Sequence, residues 1–333
     1  AFAVGGVLLG LTGHSLVSRL GRGRSLRLGS GVLALGVLVY ASGGPLTVTL
    51  LGALLCGIGG SIVAVFVTSF LSAQQGPAAP SALNEGNGLG AVAGLVAPLA
   101  VGAGVAVGWG WRPGLVVVVL MLLAVELVRG RTVADYDIGD AASGSEAPGR
   151  LPAAYWWAWL TLACLISVEF CLTLWSADLL RDRAGMGAGA AAASLATVVG
   201  GMAVGRLTGA QLAHRADPER LLLGAILVAG AGFMVAWLST TAAVMLVAFF
   251  VCGLGVGLHF PLGIGRCVRA SGRRPDRATA RVSIAGGLAS GGAPFVLAAL
   301  ADSAGVHTAF LTVVALLAFA LALVLLRPVP ATA

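Results

Sequence analysis

One acidic residue stands where acids are rarely found. Glu169 lies in LISVEFCLTLW, with no other charge within eight residues on either side. A carboxylate in the middle of an apolar helix costs ~2.5–3.5 kcal/mol on insertion scales, so it must face a cavity or a partner. There it could take up and release a proton, or bind a substrate. Its alternative role is that of a hydrogen-bonded structural acid. Arg206, in the next apolar run, invites pairing with Glu169, but depth argues against it. If the runs end near 178 and begin near 186, Glu169 is about nine residues from the shared turn and Arg206 about nineteen, some ~15 Å apart along the helix axes. Arg206 is therefore expected in a gate network at the arginine-rich end of its helix, or snorkelling there. His259, in GLHFPLG, is either a proton relay or a packed neutral imidazole, and packing is the preferred reading.

A second pattern is steric. Gly86, Gly90, Gly94, Pro98 and Gly102 recur every four residues, so they line one helix face. Small residues let helix backbones approach, and proline removes a backbone hydrogen bond. The face is a hinge along a translocation path or a static packing seam. No HExxH, GxSxG, P-loop or paired-carboxylate motif is present, and the expectation is no enzyme, no cofactor and no metal.

The elements that position these residues follow from composition. Of 333 residues, 58% are hydrophobic, 50 are glycine and 10% are charged. A soluble domain carries ~25% charged residues, and the mean hydropathy of +0.99 fits a chain dissolved in lipid. The basic residues are all arginine, giving a net charge of +7. In such a chain they report topology rather than nucleic-acid binding. The five cysteines show no CxxC or metal-ligand spacing and read as small hydrophobes.

Apolar runs predict eleven spanning helices: 1–18, 27–43, 47–70, 84–107, 111–129, 153–178, 186–211, 219–238, 241–265, 280–301 and 306–326. Their Ala, Val, Leu and Gly interiors lack the alternation of a lipid-facing barrel. Sixteen arginines fall in loops or helix ends on one side and three (Arg112, Arg181, Arg183) on the other, which places the first side in the cytoplasm. The polar stretch 130–152 reads as a cytoplasmic linker between a helical bundle at 1–129 and another at 153–333.

The two bundles repeat at an offset of 196. LTGHSLVSR at 11–19 returns as LTGAQLAHR at 207–215, CGIG at 56–59 as CGLG at 252–255, and Gly90, Ala93, Pro98 as Gly286, Ala289, Pro294. The run at 153–178 then lacks a counterpart, so a twelfth helix is expected before the first.

Two six-helix halves, a cytoplasmic linker and arginine-rich turns in equivalent places resemble the major facilitator superfamily of secondary transporters. Ser18-Arg19-Leu20-Gly21-Arg22 is similar to that family's D-R-x-G-R loop motif, with Ser18 in place of the acid, and Leu212 with His214-Arg215 to its weaker second copy. Gly90-x-x-x-Gly94-x-x-x-Pro98 is similar to the glycine-proline helix motif of the family's antiporters, with Ala97 before the proline, and the region of Pro294 to the family's penultimate helix. The resemblance implies an all-α integral membrane fold of two pseudo-symmetric bundles, with eleven of twelve helices in the sequence. It implies a secondary permease moving a small molecule by alternating access, driven by protons, as a monomer in the inner membrane of a bacterium. Ser18, Arg19, Gly21, Arg22, Arg206, His214 and Arg215 would form the inner gate, and Gly90, Gly94, Pro98 and Pro294 a hinge face. The rival reading is a transporter-like membrane sensor, which substrate flux would separate from a permease.

Overall fold

The computed structural model describes residues 22–75, 85–86, 89–90, 92–131, 150–213, 216–272 and 274–329. The expected span 1–18, the loop residues Ser18, Arg19 and Gly21, the pair His214-Arg215 and linker residues 132–149 lie outside them. The described residues form helices and no strand: α1 (Arg22–Ala41), α2 (Leu46–Gln75), α3 (Val96–Ala106), α4 (Arg112–Arg131), α5 (Ala153–Ala184), α6 (Ala188–Ala213), α7 (Pro218–Leu238), α8 (Ala242–Arg269), α9 (Pro275–Ala304), α10 (Val306–Ala309) and α11 (Leu311–Leu326). Among the described residues, nine helices are long and apolar enough to cross a membrane; α10 and α11 together count as one, and Val92–Ala106 is a shorter apolar helix. These account for ten of the eleven expected spans. Helices are what lipid permits, because each satisfies its own backbone polar groups.

The helices form two compact units. One contains α1, α2 and α4; the other contains α3 and α5 to α11. In the first, a Cβ at Gly36 would stand 2.6 Å from the Cys56 backbone nitrogen, and one at Gly59 would stand 2.8 Å from the Gly29 carbonyl oxygen. In the second, a Cβ at Gly232 would stand 2.5 Å from the Cys252 nitrogen, and one at Gly255 would meet Ala225 and lie 2.6 Å from the Ala229 nitrogen. Adding 196 to the first set of numbers gives the second. The sequence repeat is thus a repeat of backbone contacts, the α1–α2 pair matching α7–α8.

A second glycine seam joins α6 to α8. Gly201 and Gly205 face Phe250, Gly253 and Leu254, while Gly253 and Gly257 face Val198, Gly201 and Met202; no Cβ could be added at any of the four without a backbone clash. Each helix thus carries a small-x-x-x-small pair that allows close approach. Sequence reasoning passed over this seam, because these glycines lie in runs already crowded with small residues.

The ends of the second unit are fastened by polar bonds. At one, Tyr155 donates to the Ala278 carbonyl and Trp159 to that of Arg281. At the other, Trp237 donates to the His307 carbonyl at 2.8 Å and stacks on the His307 ring at 4.4 Å.

Gly232→Ala and Gly253→Ala should each lower the stability of the detergent-solubilised protein by roughly 1–3 kcal/mol through overpacking. Gly224→Ala, where a Cβ meets nothing within 4 Å, should leave it unchanged or raise it by up to about 1 kcal/mol through helix propensity. Thermal unfolding followed by tryptophan fluorescence checks the order; equal melting points for the three would overturn the seam.

Candidate functional site

Glu169 and Arg206 form an ion pair. The Arg206 Nη2 donates to Glu169 Oε1 at 3.2 Å, and the side chains remain 15% (Arg206) and 22% (Glu169) exposed. This corrects the expectation that depth would keep them apart, and the reason is local. α5 does not stop near 178; it runs on through Asp178, Arg181 and Asp182 to Ala184 and ends at Gly185, whose φ of 64° suits the left-handed cap. Six more residues move the turn outward. Glu169 is then fifteen residues before the end of α5, and Arg206 eighteen after the start of α6, an offset of only ~4.5 Å. Side chains lean toward the N-terminus of their own helix. On these antiparallel neighbours Glu169 leans away from the turn and Arg206 toward it, and the two directions converge across that offset.

The seam between α6 and α8 holds this arginine in place. Arg206 directly follows Gly205, whose backbone is pressed against Leu254, so the Arg206 backbone is fixed while its long side chain reaches α5. On α5, Thr173 Oγ1 donates to the Glu169 carbonyl at 2.8 Å. Glu169 and Arg206 thus form an acid–base pair on rigid helices, partly open to whatever fills the space beside them.

His259 is fully buried in α8. Its ring faces the backbone of Leu165 on α5 and Ala225 on α7, and neither ring nitrogen makes a hydrogen bond of good geometry. The Leu165 carbonyl is one helical turn from Glu169, so the histidine packs beside the α5 segment that carries the acid.

The glycine-proline face is only partly a seam. Gly90 borders open space, and a Cβ at Gly94 would make ordinary contact with Val199 at 3.7 Å. Gly102 is pressed against α6, where a Cβ would lie 2.5 Å from the Ala193 Cβ and 2.9 Å from the Gly189 carbonyl oxygen. The helical run from Val92 is interrupted by a turn at Leu95, just before Pro98, as expected where a proline lacks its N–H. Pro294 lies inside α9 without interrupting it. Arg22 begins α1.

One cluster escaped the sequence reading entirely. By sequence Arg266 is only a topology signal, yet its side chain is 1% exposed. Its Nη1 donates to Glu219 Oε2 at 2.7 Å and its Nη2 to the Arg327 carbonyl at 2.6 Å, while Arg269 donates to Glu219 Oε1 at 3.1 Å. Three helix ends meet here: the start of α7, the end of α8 and the end of α11. Asp217 caps α7 by accepting from the Glu219 and Arg220 nitrogens, and Pro218 opens the helix. Glu219 sits at a positive helix end and Arg266 at a negative one, so each also complements its helix dipole. The one available signal was Asp217-Pro218-Glu219, a capped helix start with two acids between Arg215 and Arg220.

Arg266→Gln and Glu219→Gln should each destabilise the protein by roughly 3–5 kcal/mol, since each strands a buried partner. The double variant should cost about 1–3 kcal/mol less than the sum of the two. A double-mutant cycle from chemical unfolding in detergent measures this; strictly additive losses would deny the contact any energetic role.

The chain from residue 1 to residue 275 matches the model of the Major Facilitator Superfamily. No curated protein matches it. Among solved structures, it resembles FucP, a transporter of that superfamily crystallised in the outward conformation, at 18% identity and a TM-score of 0.68, covering 98% of this chain and 88% of that one; another FucP structure names it the E. coli fucose:proton symporter. It resembles a bacterial homologue of the human lysosomal transporter Spinster, inward-facing and unoccupied, at 14% identity and a TM-score of 0.72, covering 98% and 87%. It also resembles the human organic anion transporter MFSD10 at 17% identity and a TM-score of 0.66, covering 97% and 82%. At these identities the solved structures establish the fold, an all-helical one shared among transporters. With over three quarters of its length matched by the family model, the chain belongs to the major facilitator superfamily of membrane transporters.

Proposed function

We propose that this protein is a proton-coupled secondary transporter that moves a small solute by alternating access, and that Glu169 and Arg206 couple the proton to the solute. The carrying observation is their ion pair, set within two membrane-length helices and still partly exposed. An ionised acid there needs the arginine's charge beside it. A proton arriving on a Glu169 oxygen cancels the carboxylate, weakens the charge-assisted bond to Nη2 and lets the guanidinium turn to the solute or to water. Loss of the proton restores the pair and ejects what the arginine held. Support for proton coupling comes from the fold shared with a protein named a fucose:proton symporter. Support for alternating access comes from the outward and inward conformations in which structures of this fold have been solved.

The protein acts as a monomer in the inner membrane of a bacterium, with its arginine-rich ends in the cytoplasm. The sixteen-to-three arginine distribution supports this orientation. Within the second unit, Arg220, Arg266, Arg269 and Arg327 gather at the end bearing the Glu219 cluster, while Arg181 and Arg183 sit in the last turn of α5.

Glu169→Gln keeps the size and hydrogen-bonding capacity of the side chain but removes the titration. In proteoliposomes this variant should lose uphill accumulation of solute and the pH dependence of flux, while downhill exchange survives. Unchanged accumulation would make Glu169 structural. For orientation, cysteines placed at Arg150 and Ala216, in a background lacking the five native ones, should be protected from a membrane-impermeant thiol reagent in intact cells. A cysteine at Gly187 should be labelled. The reverse pattern would invert the topology.

A further inference from the structure

Away from its helix ends, the second unit carries very little charge. α5 and α6 pack on each other, and α3, α7, α8, α9, α10 and α11 each pack on one or both. Among the described residues of these helices, formal charges lie within two turns of a helix end, from Asp178 and Asp302 at one side to Glu219, Arg220, Arg266 and Arg281 at the other. Between those ends stand Glu169 and Arg206. The other titratable groups at that level are His259, turned to the backbone of Leu165 and Ala225, and the thiols of Cys164, Cys171 and Cys252.

Charge balance then restricts what can bind. Ionised Glu169 beside Arg206 makes a pair of zero net charge. A proton on Glu169 leaves the guanidinium uncompensated among apolar helices, which is costly. A monovalent anion on the guanidinium returns the sum to zero. A neutral solute leaves one positive charge, and a cation raises it to two. Without the proton, the anion would leave one negative charge. Proton and monovalent anion therefore favour each other's binding, each removing the charge that the other brings.

The side chains around the pair restrict the rest of the solute. Within one turn of Glu169 on α5 and of Arg206 on α6, the hydroxyls are those of Ser167, Thr173 and Thr208. Each donates to a carbonyl of its own helix, that of Ala163, Glu169 and Val204 respectively. These two helices thus offer one strong donor, the guanidinium, among otherwise apolar side chains. The planar fork of a guanidinium matches the two oxygens of a carboxylate.

We propose that the solute is a monocarboxylate with an apolar body, bound as the anion by Arg206 together with one proton on Glu169, so that each transport cycle moves no net charge. This assignment rests on the proton-coupling reading of the pair. A sugar or a zwitterion would leave the protonated pair with its positive charge.

Isothermal titration calorimetry of the detergent-solubilised full chain tests the assignment, with benzoate, hexanoate, benzyl alcohol and benzylammonium as probes. Both carboxylates should bind about tenfold more tightly for each unit by which pH is lowered, over the range where Glu169 of the empty protein is ionised. They should take up one proton per anion, measured in buffers of different ionisation enthalpy. Benzyl alcohol and benzylammonium share the apolar body of benzoate and should bind roughly 100-fold more weakly, since the guanidinium is left without its counter-anion. Glu169→Gln should bind benzoate with one affinity at every pH and take up no proton, while Arg206→Gln should lose both carboxylates. Circular dichroism verifies that each variant is folded, and the wild-type titrations decide if Arg206→Gln is not. Preference for benzyl alcohol or benzylammonium, with proton uptake intact, would overturn the solute class and leave the coupling reading standing. Carboxylate binding without proton uptake would overturn the coupling reading and this assignment with it. A tenfold dependence surviving in Glu169→Gln would mean that the neutral acid binds, and neither carboxylate binding at all would exclude the class; both results overturn the proposal.

Discussion

Close approach of helix backbones at glycine is the contact on which the rest of this structure rests. Inside a bilayer, lipid tails are as apolar as leucine, so burying leucine does not by itself draw helices together. Packing at short range must do it, and short range requires residues without side chains in the way. The α1–α2 and α7–α8 pairs meet this need with the same glycines at an offset of 196, and α6–α8 with two facing glycine pairs. These seams leave no room for side chains between the helices, and Arg206 follows directly on one of their glycines.

The two charged clusters differ in what surrounds them. Around Arg266 nothing is open: the guanidinium is sealed, bonded to Glu219 and to a backbone carbonyl, and joins three helix ends. Removing either charge would leave the other buried without its partner, which suits a fixed fastening. Glu169 and Arg206 are more exposed, and the bond between them is longer, at 3.2 Å. Partial exposure means that water or a solute can replace either partner, so this pair can exchange contacts where the Arg266 cluster cannot. The distinction comes from burial, since the residue types are the same.

The apolar surface carries its own order. Gly230 and Gly232 are two residues apart on α7, yet one borders open space and the other is pressed against Cys252. Two positions along a helix differ by about 200° around its axis, so one glycine serves a seam and the other leaves a groove. Composition cannot separate these roles, because both glycines satisfy it equally.

Some features of this protein were determined by sequence alone. Apolar run length required spanning helices, because lipid admits no backbone with unsatisfied polar groups. The 196-residue offset announced a repeat, and the structure shows that repeat as matching backbone contacts between Gly36 and Cys56 and between Gly232 and Cys252. The isolation of Glu169 marked it as a residue needing a partner. What that partner is, tertiary structure decided. Apolarity located the end of α5 six residues too early, because the last turns carry Asp178, Arg181 and Asp182 and read as loop. Those six residues account for most of the depth between Glu169 and Arg206 that hydropathy implies. The side-chain lean that closes the remaining offset depends on helix direction and neighbourhood, which hydropathy does not encode. The burial of Arg266 was equally invisible: an arginine at a helix end reads as a solvated topology signal until three helix ends converge around it, and that convergence is set by contacts between residues far apart in the chain.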